Sequence, residues 1–161
     1  MQYSEIAKTQ EYNSDKNCCT VVASSIAFNV PFDEMQNYFF QHGRKRNKGY
    51  HMYKIVPEIA KDYGYKAERF YKVSNGYYNN KTGERILENT PSLTVNNCTK
   101  YLTKGTFILG VHEHVLAVKN GKVEDWTRGR KHRVKYIYRI TKTNNVKSLT
   151  INKNPFEEFG L

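Results

Sequence analysis

The chain of 161 residues has few cysteines and no long hydrophobic run. No apolar stretch approaches the length that crosses a bilayer, so the sequence predicts no transmembrane segment and no membrane partner. The N-terminal segment MQYSEIAKTQEYNSD lacks the basic and then apolar pattern of a secretion signal, which indicates a cytoplasmic protein.

The three cysteines show no CxxC spacing, which argues against a disulfide framework and a zinc site. The five histidines are scattered, and we expect neither a metal nor another cofactor.

Acidic residues are scarce relative to basic ones. The chain has 26 Lys and Arg against 15 Asp and Glu, which gives a formal net charge of +11. Such a charge attracts acidic peptides and proteins, nucleic acids and anionic surfaces. The densest basic stretches are residues 44–48 and 128–133. No zinc-finger, helix-turn-helix or RNA-recognition motif accompanies them, so a nucleic-acid partner is an alternative that no motif supports.

Hydrophobic periodicity predicts helices in the first half of the chain and strands in the second. Apolar residues recur at helical spacing over residues 18–30, 33–41 and 52–63, and a short helix is predicted near 95–102. Strands are predicted over residues 66–73, within 105–126, and over 134–140. This order predicts an α+β fold, in which N-terminal helices precede a mostly antiparallel β-sheet. We expect a single domain over 1–161, with its core at about 13–140 and a polar tail at 141–161.

Two of the three cysteines are adjacent, directly after a polar turn and at the head of the first predicted core helix. Cys18 is predicted to lie in the first turn, where free backbone N–H groups and the helix dipole stabilise a thiolate. Cys19 is rotated from it by about 100° and is predicted to fill the core. The pair therefore indicates either a nucleophile at Cys18 or two small core residues.

A histidine and an aspartate are brought to one face by a predicted hairpin. Asn120-Gly121 is the strongest turn signal in the chain, and a two-residue turn there pairs Lys119 with Lys122. In that register His114 and Asp125 project to the same side as diagonal neighbours, whereas Glu124 projects to the other. His112 projects to the same face as His114 but lies two residues further along the chain from Asp125. The hairpin predicts an imidazole oriented by a carboxylate, although solvent-facing residues would give the same pattern.

Four short segments carry a resemblance to a known family. Residues 17–23 read NCCTVVA, residues 105–108 read GTFI, and residues 114–118 and 121–125 read HVLAV and GKVED. This series resembles the papain-like cysteine peptidase superfamily, in particular compact bacteriocin-processing peptidases and small cysteine-peptidase-like proteins of bacteriophages. The resemblance covers about residues 13–140. Many relatives have a glycine after the nucleophile, where this chain has Cys19.

The resemblance implies a papain-like fold and a role for each matching residue. Cys18 would be the nucleophile, His114 the general acid and base, and Asp125 the residue that orients the histidine. Papain-like enzymes place a glutamine about six residues before the cysteine to stabilise the oxyanion, and that position here is Tyr12. Gln10 and Asn13 are the substitutes that the resemblance implies, together with the backbone N–H of Cys18.

These features support three functions, of which two are enzymatic and one is a non-catalytic binding function. The first is a thiol hydrolase, a cysteine peptidase or isopeptidase with a Cys-His-Asp triad, which acts on a peptide or protein substrate of acidic character. The second is a catalytically inactive peptidase-like protein of phage origin, which binds nucleic acid or a host protein through its basic surface. The third is a cell-wall peptide amidase. The phage resemblance places the protein in the host cytoplasm, and residues 44–50 and 74–83 are the candidate cleft loops.

Overall fold

The fold is α+β, with helices packed on an open seven-stranded antiparallel sheet. A computed structural model of the chain describes residues 1–143. No helix among these residues has the length and apolar character needed to cross a membrane. The helices are α1 (Tyr3–Ile6), α2 (Gln10–Asn13), α3 (Cys19–Ala27), α4 (Phe32–Gln41), α5 (Met52–Tyr63) and α6 (Val95–Cys98). The strands are β1 (Tyr65–Lys72), β2 (Tyr77–Tyr78), β3 (Arg85–Ile86), β4 (Thr106–Val111), β5 (His114–Lys119), β6 (Lys122–Glu124) and β7 (Tyr136–Lys142).

The strand order in the sheet is β3-β2-β1-β7-β4-β5-β6, and all neighbouring strands are antiparallel. Strands β4 and β5 are apolar on both faces because each face is covered. Ile108 and Ala117 pack against the helices, whereas Leu109 and Leu116 pack into a second cluster on the opposite face. The functional elements described below meet at the start of β5, next to the start of α3.

Helix α3 runs through the centre of the helical layer. Residues 20–27 are all buried, since the helix packs on β5 and on α4. Small and β-branched residues such as Ala23 and Val22 allow this close approach on several sides. The helix therefore has no solvent-facing polar stripe, and its N-terminus is the part that reaches the surface.

Several predicted elements agree with the structure. The helix over 52–63 has the predicted bounds, with Gly64 ending it in a left-handed conformation at φ 78°. The hairpin has the predicted register, with Lys119 opposite Lys122 and Ala117 opposite Glu124. Both turn residues have positive φ, as a two-residue hairpin of this kind requires.

Other predictions are corrected by the structure. The first core helix ends at Ala27 and begins at Cys19 rather than at residue 18. The stretch 74–83, predicted as a loop, contains the short strand β2. Residues 141 and 142 of the predicted polar tail belong to β7, and residues 144–161 of that tail lie outside the described part of the chain.

Candidate active site

The hairpin brings His114 and Asp125 into direct contact. β5 begins at His114, and Asp125 directly follows the strand that pairs with β5. The Nε2–H of His114 donates a hydrogen bond to Oδ2 of Asp125 at 2.7 Å. Asp125 is held in turn by the backbone N–H and the hydroxyl of Thr127, at 3.1 and 2.6 Å. The carboxylate therefore orients the ring and leaves Nδ1 to face another group.

Glu124 and His112, the neighbouring acid and histidine of the hairpin, have other partners. Glu124 is buried and accepts a hydrogen bond from the backbone N–H of Tyr3 at 2.9 Å. His112 is exposed, and its Nε2 lies 3.6 Å from a carboxylate oxygen of Glu113. The alternation of side chains along the predicted hairpin therefore identified the histidine and the carboxylate that form a pair in the structure.

The start of α3 lies one residue later than predicted, which changes the positions of the two cysteines. Asn17 is left-handed, with φ of 60°, and its amide donates to the carbonyl of Asn47. Cys18 is consequently the N-cap, and its carbonyl accepts the first helical hydrogen bond, from Val22. Cys19 is the first residue inside the helix. Successive helical side chains differ in direction by about 100°, enough to separate a core-facing position from a cleft-facing one.

Cys19 is the cysteine that reaches His114. Its partly exposed thiol lies beside the imidazole ring, and both residues line the same two pockets. Cys18 also borders the cleft, but it is only 5% exposed and belongs to the hydrophobic core. Burial, together with the charge of Asp15, raises the pKa of Cys18 to about 11. The structure thus places Cys18 in the core and Cys19 beside the imidazole, whereas the sequence predicts Cys18 as the thiol at the site and Cys19 as core filler.

The environment of His114 favours its protonated form. Burial of the ring opposes protonation, but the hydrogen bond with Asp125 and the neighbouring Cys19 thiol outweigh it and raise the pKa of His114 from 6.5 to about 9. The stability that this pairing contributes is therefore fully present below about pH 6.5 and is lost as the pH rises through about 9.

We expect the imidazole of His114 to titrate near pH 9 in an NMR experiment on the folded protein. Asp125→Asn should lower that pKa by about 1–2 units, because it removes the negative charge that stabilises the imidazolium. Glu113→Gln is the matched control, since the Glu113 side chain is 85% exposed and lies next to His114 in sequence. A His114 pKa that stays the same in Asp125→Asn would contradict the arrangement.

A buried ion pair holds the segment that precedes the cysteines. Arg44 donates two hydrogen bonds to Asp15, at 2.7 and 2.8 Å, and both side chains are completely buried. The carboxylate also accepts from the backbone N–H of Asn47 at 2.8 Å and from the amide of Gln36 at 2.9 Å. The first residue of the basic stretch 44–48 is thus an internal support rather than part of a basic surface. The pair fixes the loop before α3 against the loop after α4.

The contact between Cys19 and His114 lies between two pockets, both of which these residues border. The larger has a volume of about 710 Å³, and Tyr12 and Trp126 are among its lining residues. Trp126 is 51% exposed, and its ring centroid lies 5.1 Å from that of His114. The smaller has a volume of about 320 Å³. The two pockets give an extended ligand access to the thiol from either side.

Only one of the two predicted cleft loops reaches these pockets. Gly49 borders both pockets and Tyr50 borders the smaller one, so the loop over 44–50 contributes to the cleft. No residue of the stretch 74–83 lines either pocket.

The side chains predicted as oxyanion donors have other positions. Gln10 is exposed at the start of α2 and lines neither pocket. Asn13 borders the larger pocket, but its amide donates to the carbonyls of Ala7 and Thr9, at 3.0 and 2.7 Å. Tyr12, at the position where the resemblance expects a glutamine, lines the larger pocket.

The Tyr12 side chain borders the larger pocket, and its surroundings favour the protonated hydroxyl. Its hydroxyl lies 3.1 Å from that of Tyr3. Burial and this hydrogen bond, with smaller contributions from Cys18 and Asp125, raise the pKa of Tyr12 well above its usual value. The phenol therefore stays an O–H group across the physiological pH range.

Among residues 1–143, no group of three or more His, Cys, Asp or Glu side chains is arranged to hold a metal ion. Comparisons of the chain with protein-family models, with curated proteins and with solved structures found no match.

Proposed function

We propose that the protein is a thiol hydrolase of papain-like type, a peptidase or isopeptidase in which Cys19 is the nucleophile. The observation that carries the proposal is that Cys19 and His114 line the same two pockets, with the imidazole held by Asp125 at 2.7 Å. Nucleophile, base and orienting acid within hydrogen-bonding reach are the features that cysteine hydrolases require.

The chemistry begins with a thiolate–imidazolium pair between Cys19 and His114. The sulfur attacks the carbonyl carbon of an amide, and an S–C bond forms. The C–N bond then breaks, and the amine leaves with the proton that the imidazolium donates. Water adds to the resulting thioester while His114 takes one of its protons, the S–C bond breaks, and a carboxylic acid is released.

Two groups are positioned to stabilise the oxyanion in this scheme. The backbone N–H of Cys19 lies before the first intrahelical hydrogen bond, and no acceptor for it is found within residues 1–143. The Tyr12 hydroxyl borders the same pocket as a second donor. Since a neutral phenol donates a hydrogen bond without losing its proton, it suits a developing negative charge.

Alkylation of the purified protein with iodoacetamide tests the proposal. At pH 7, Cys19 should react at least about tenfold faster than Cys18 or Cys98. Burial raises the pKa of both other thiols to about 11, so roughly one in ten thousand of these groups is ionised at that pH. Fragment-ion mass spectrometry assigns the label within the Cys18-Cys19 peptide.

His114→Ala should slow the labelling of Cys19, because it removes the partner that stabilises the thiolate. His112→Ala is the matched control and should leave the rate unchanged, since His112 is exposed and pairs with Glu113. Equal labelling of the three cysteines, or fastest labelling at Cys18, would contradict the proposal. Incubation with a peptide library, with Cys19→Ala as the blank, then identifies the bonds that are cleaved.

A further inference from the structure

The smaller pocket contains a cation beside the reactive thiol. Arg69, from β1, lines this pocket together with Cys19 and His114. Tyr50, Tyr53 and Tyr136 line it as well, so the arginine lies within a largely aromatic wall.

Tyrosine rings hold the Arg69 guanidinium in place. Its central carbon lies 4.4 Å from the ring centroid of Tyr136, 4.7 Å from that of Tyr71 and 5.3 Å from that of Tyr138. One terminal nitrogen, Nη1, donates to the Tyr138 hydroxyl at 3.1 Å. Rings on β1 and β7 thus restrict the side chain to one orientation, which lowers the entropic cost of binding a ligand to it.

Arg69 has no carboxylate partner within the described part of the chain. No ion pair to Arg69 forms among residues 1–143, and its Nε is buried without a hydrogen-bond acceptor. The adjacent Glu68 binds Arg139 instead, at 2.9 Å. Among residues 1–143, the only acid that borders the pocket is Glu113, whose side chain is 85% exposed. A partly buried guanidinium without an anion is costly, which favours a ligand that brings one.

We propose that this pocket binds a carboxylate of the substrate, supplied by a Glu or Asp side chain close to the bond that Cys19 attacks. The inference rests on the proposed function in taking Cys19 as the reacting group. Arginine binds carboxylates through charge-assisted hydrogen bonds, and the tyrosine walls suit the aliphatic part of such a side chain. The pocket therefore determines substrate specificity, whereas His114 and Asp125 carry the chemistry.

A matched pair of alkylating reagents tests this without requiring turnover. N-chloroacetyl-glutamate amide and N-chloroacetyl-glutamine amide differ only in the side-chain carboxylate, and each forms an S–C bond with release of chloride. Cys19 should react about 10- to 100-fold faster with the glutamate reagent, after correction for the reactivity of both with free cysteine. A ratio near one in the wild-type protein would overturn the proposal.

Substitutions test whether Arg69 causes the preference for the glutamate reagent. Arg69→Met keeps an unbranched side chain between the rings and should bring the ratio close to one, whereas Arg69→Lys should retain part of it. Arg128→Met removes the same charge from an exposed position outside the pocket and should leave the ratio unchanged. A ratio that persists in Arg69→Met would show that another group recognises the carboxylate, and a ratio lost equally in Arg128→Met would show that overall charge is responsible. Either outcome would overturn the assignment.

The two proposals fail in distinguishable ways. If no peptide in the library is hydrolysed but the glutamate preference is present and depends on Arg69, the hydrolase function is wrong and the carboxylate site stands. If peptides are cleaved without a preference for acidic residues next to the cleaved bond, the carboxylate site is wrong and the hydrolase function stands.

Discussion

Replacing Arg44 with methionine is expected to lower the free energy of unfolding by about 3–5 kcal/mol, which is a large part of the stability of a domain of this size. The substitution leaves the carboxylate of Asp15 buried without the cation that now makes two hydrogen bonds to it. Urea denaturation, followed by circular dichroism, measures the loss. Lys45→Met is the matched control, because Lys45 is the exposed neighbour of Arg44, and it should change stability by less than about 0.5 kcal/mol.

A double variant separates the buried charge from the packing. Asp15→Asn combined with Arg44→Met removes both charges and should recover part of the stability that Arg44→Met loses. If Arg44→Met proves as stable as the wild-type protein, the buried pair does not support the fold.

The same pair makes a contribution that depends on pH. Burial by itself raises the pKa of Asp15, but the hydrogen bonds from Arg44, Asn47 and Gln36 outweigh it and lower the pKa from 3.8 to about 2. The stabilising contribution of the ionised carboxylate is therefore present above about pH 3.8 and is lost as the pH falls through about 2.

Replacing Cys19 with alanine is expected to reduce the hydrolysis of a library-derived peptide by about 10⁴-fold or more. The thiol that contacts His114 is the group that would form the thioester, so its removal eliminates the covalent route. The value of kcat/KM measures the effect, and the alkylation pattern verifies that the remaining cysteines are intact.

Cys18→Ala is the matched control for this prediction. Because Cys18 belongs to the hydrophobic core, its replacement should cost about 1 kcal/mol of stability and leave kcat/KM within about tenfold of the wild-type value. Loss of turnover in Cys18→Ala, with turnover retained in Cys19→Ala, would return the nucleophile to Cys18.

The pairing of His114 with Asp125 was predictable because it depends on local rules. The Asn120-Gly121 dipeptide specifies a two-residue turn, and the turn determines the register of the strands on either side. Strand parity then decides which side chains share a face. The contact between these two residues, eleven positions apart, therefore needed no information from the rest of the chain.

The choice between the two cysteines was not predictable in this way. Ser14, Asp15 and Asn17 are all typical N-cap residues, so the local sequence favours a helix that includes Cys18. In the structure, Asp15 is bound by Arg44, 29 residues away, and Asn17 by Asn47, 30 residues away. Neither side chain caps the helix, Cys18 occupies the cap position, and the first helical residue is Cys19.

The sequence by itself determined the α+β order of elements, the hairpin register and the histidine–aspartate pair, because hydrophobic period and turn type act over a few residues. Only the tertiary structure decided which cysteine meets His114 and where a cation lies beside it. Arg69 and the rings of Tyr136 and Tyr138 come together because β1 and β7 pair across more than sixty positions of sequence. Such contacts depend on how the layers pack, which no short segment specifies.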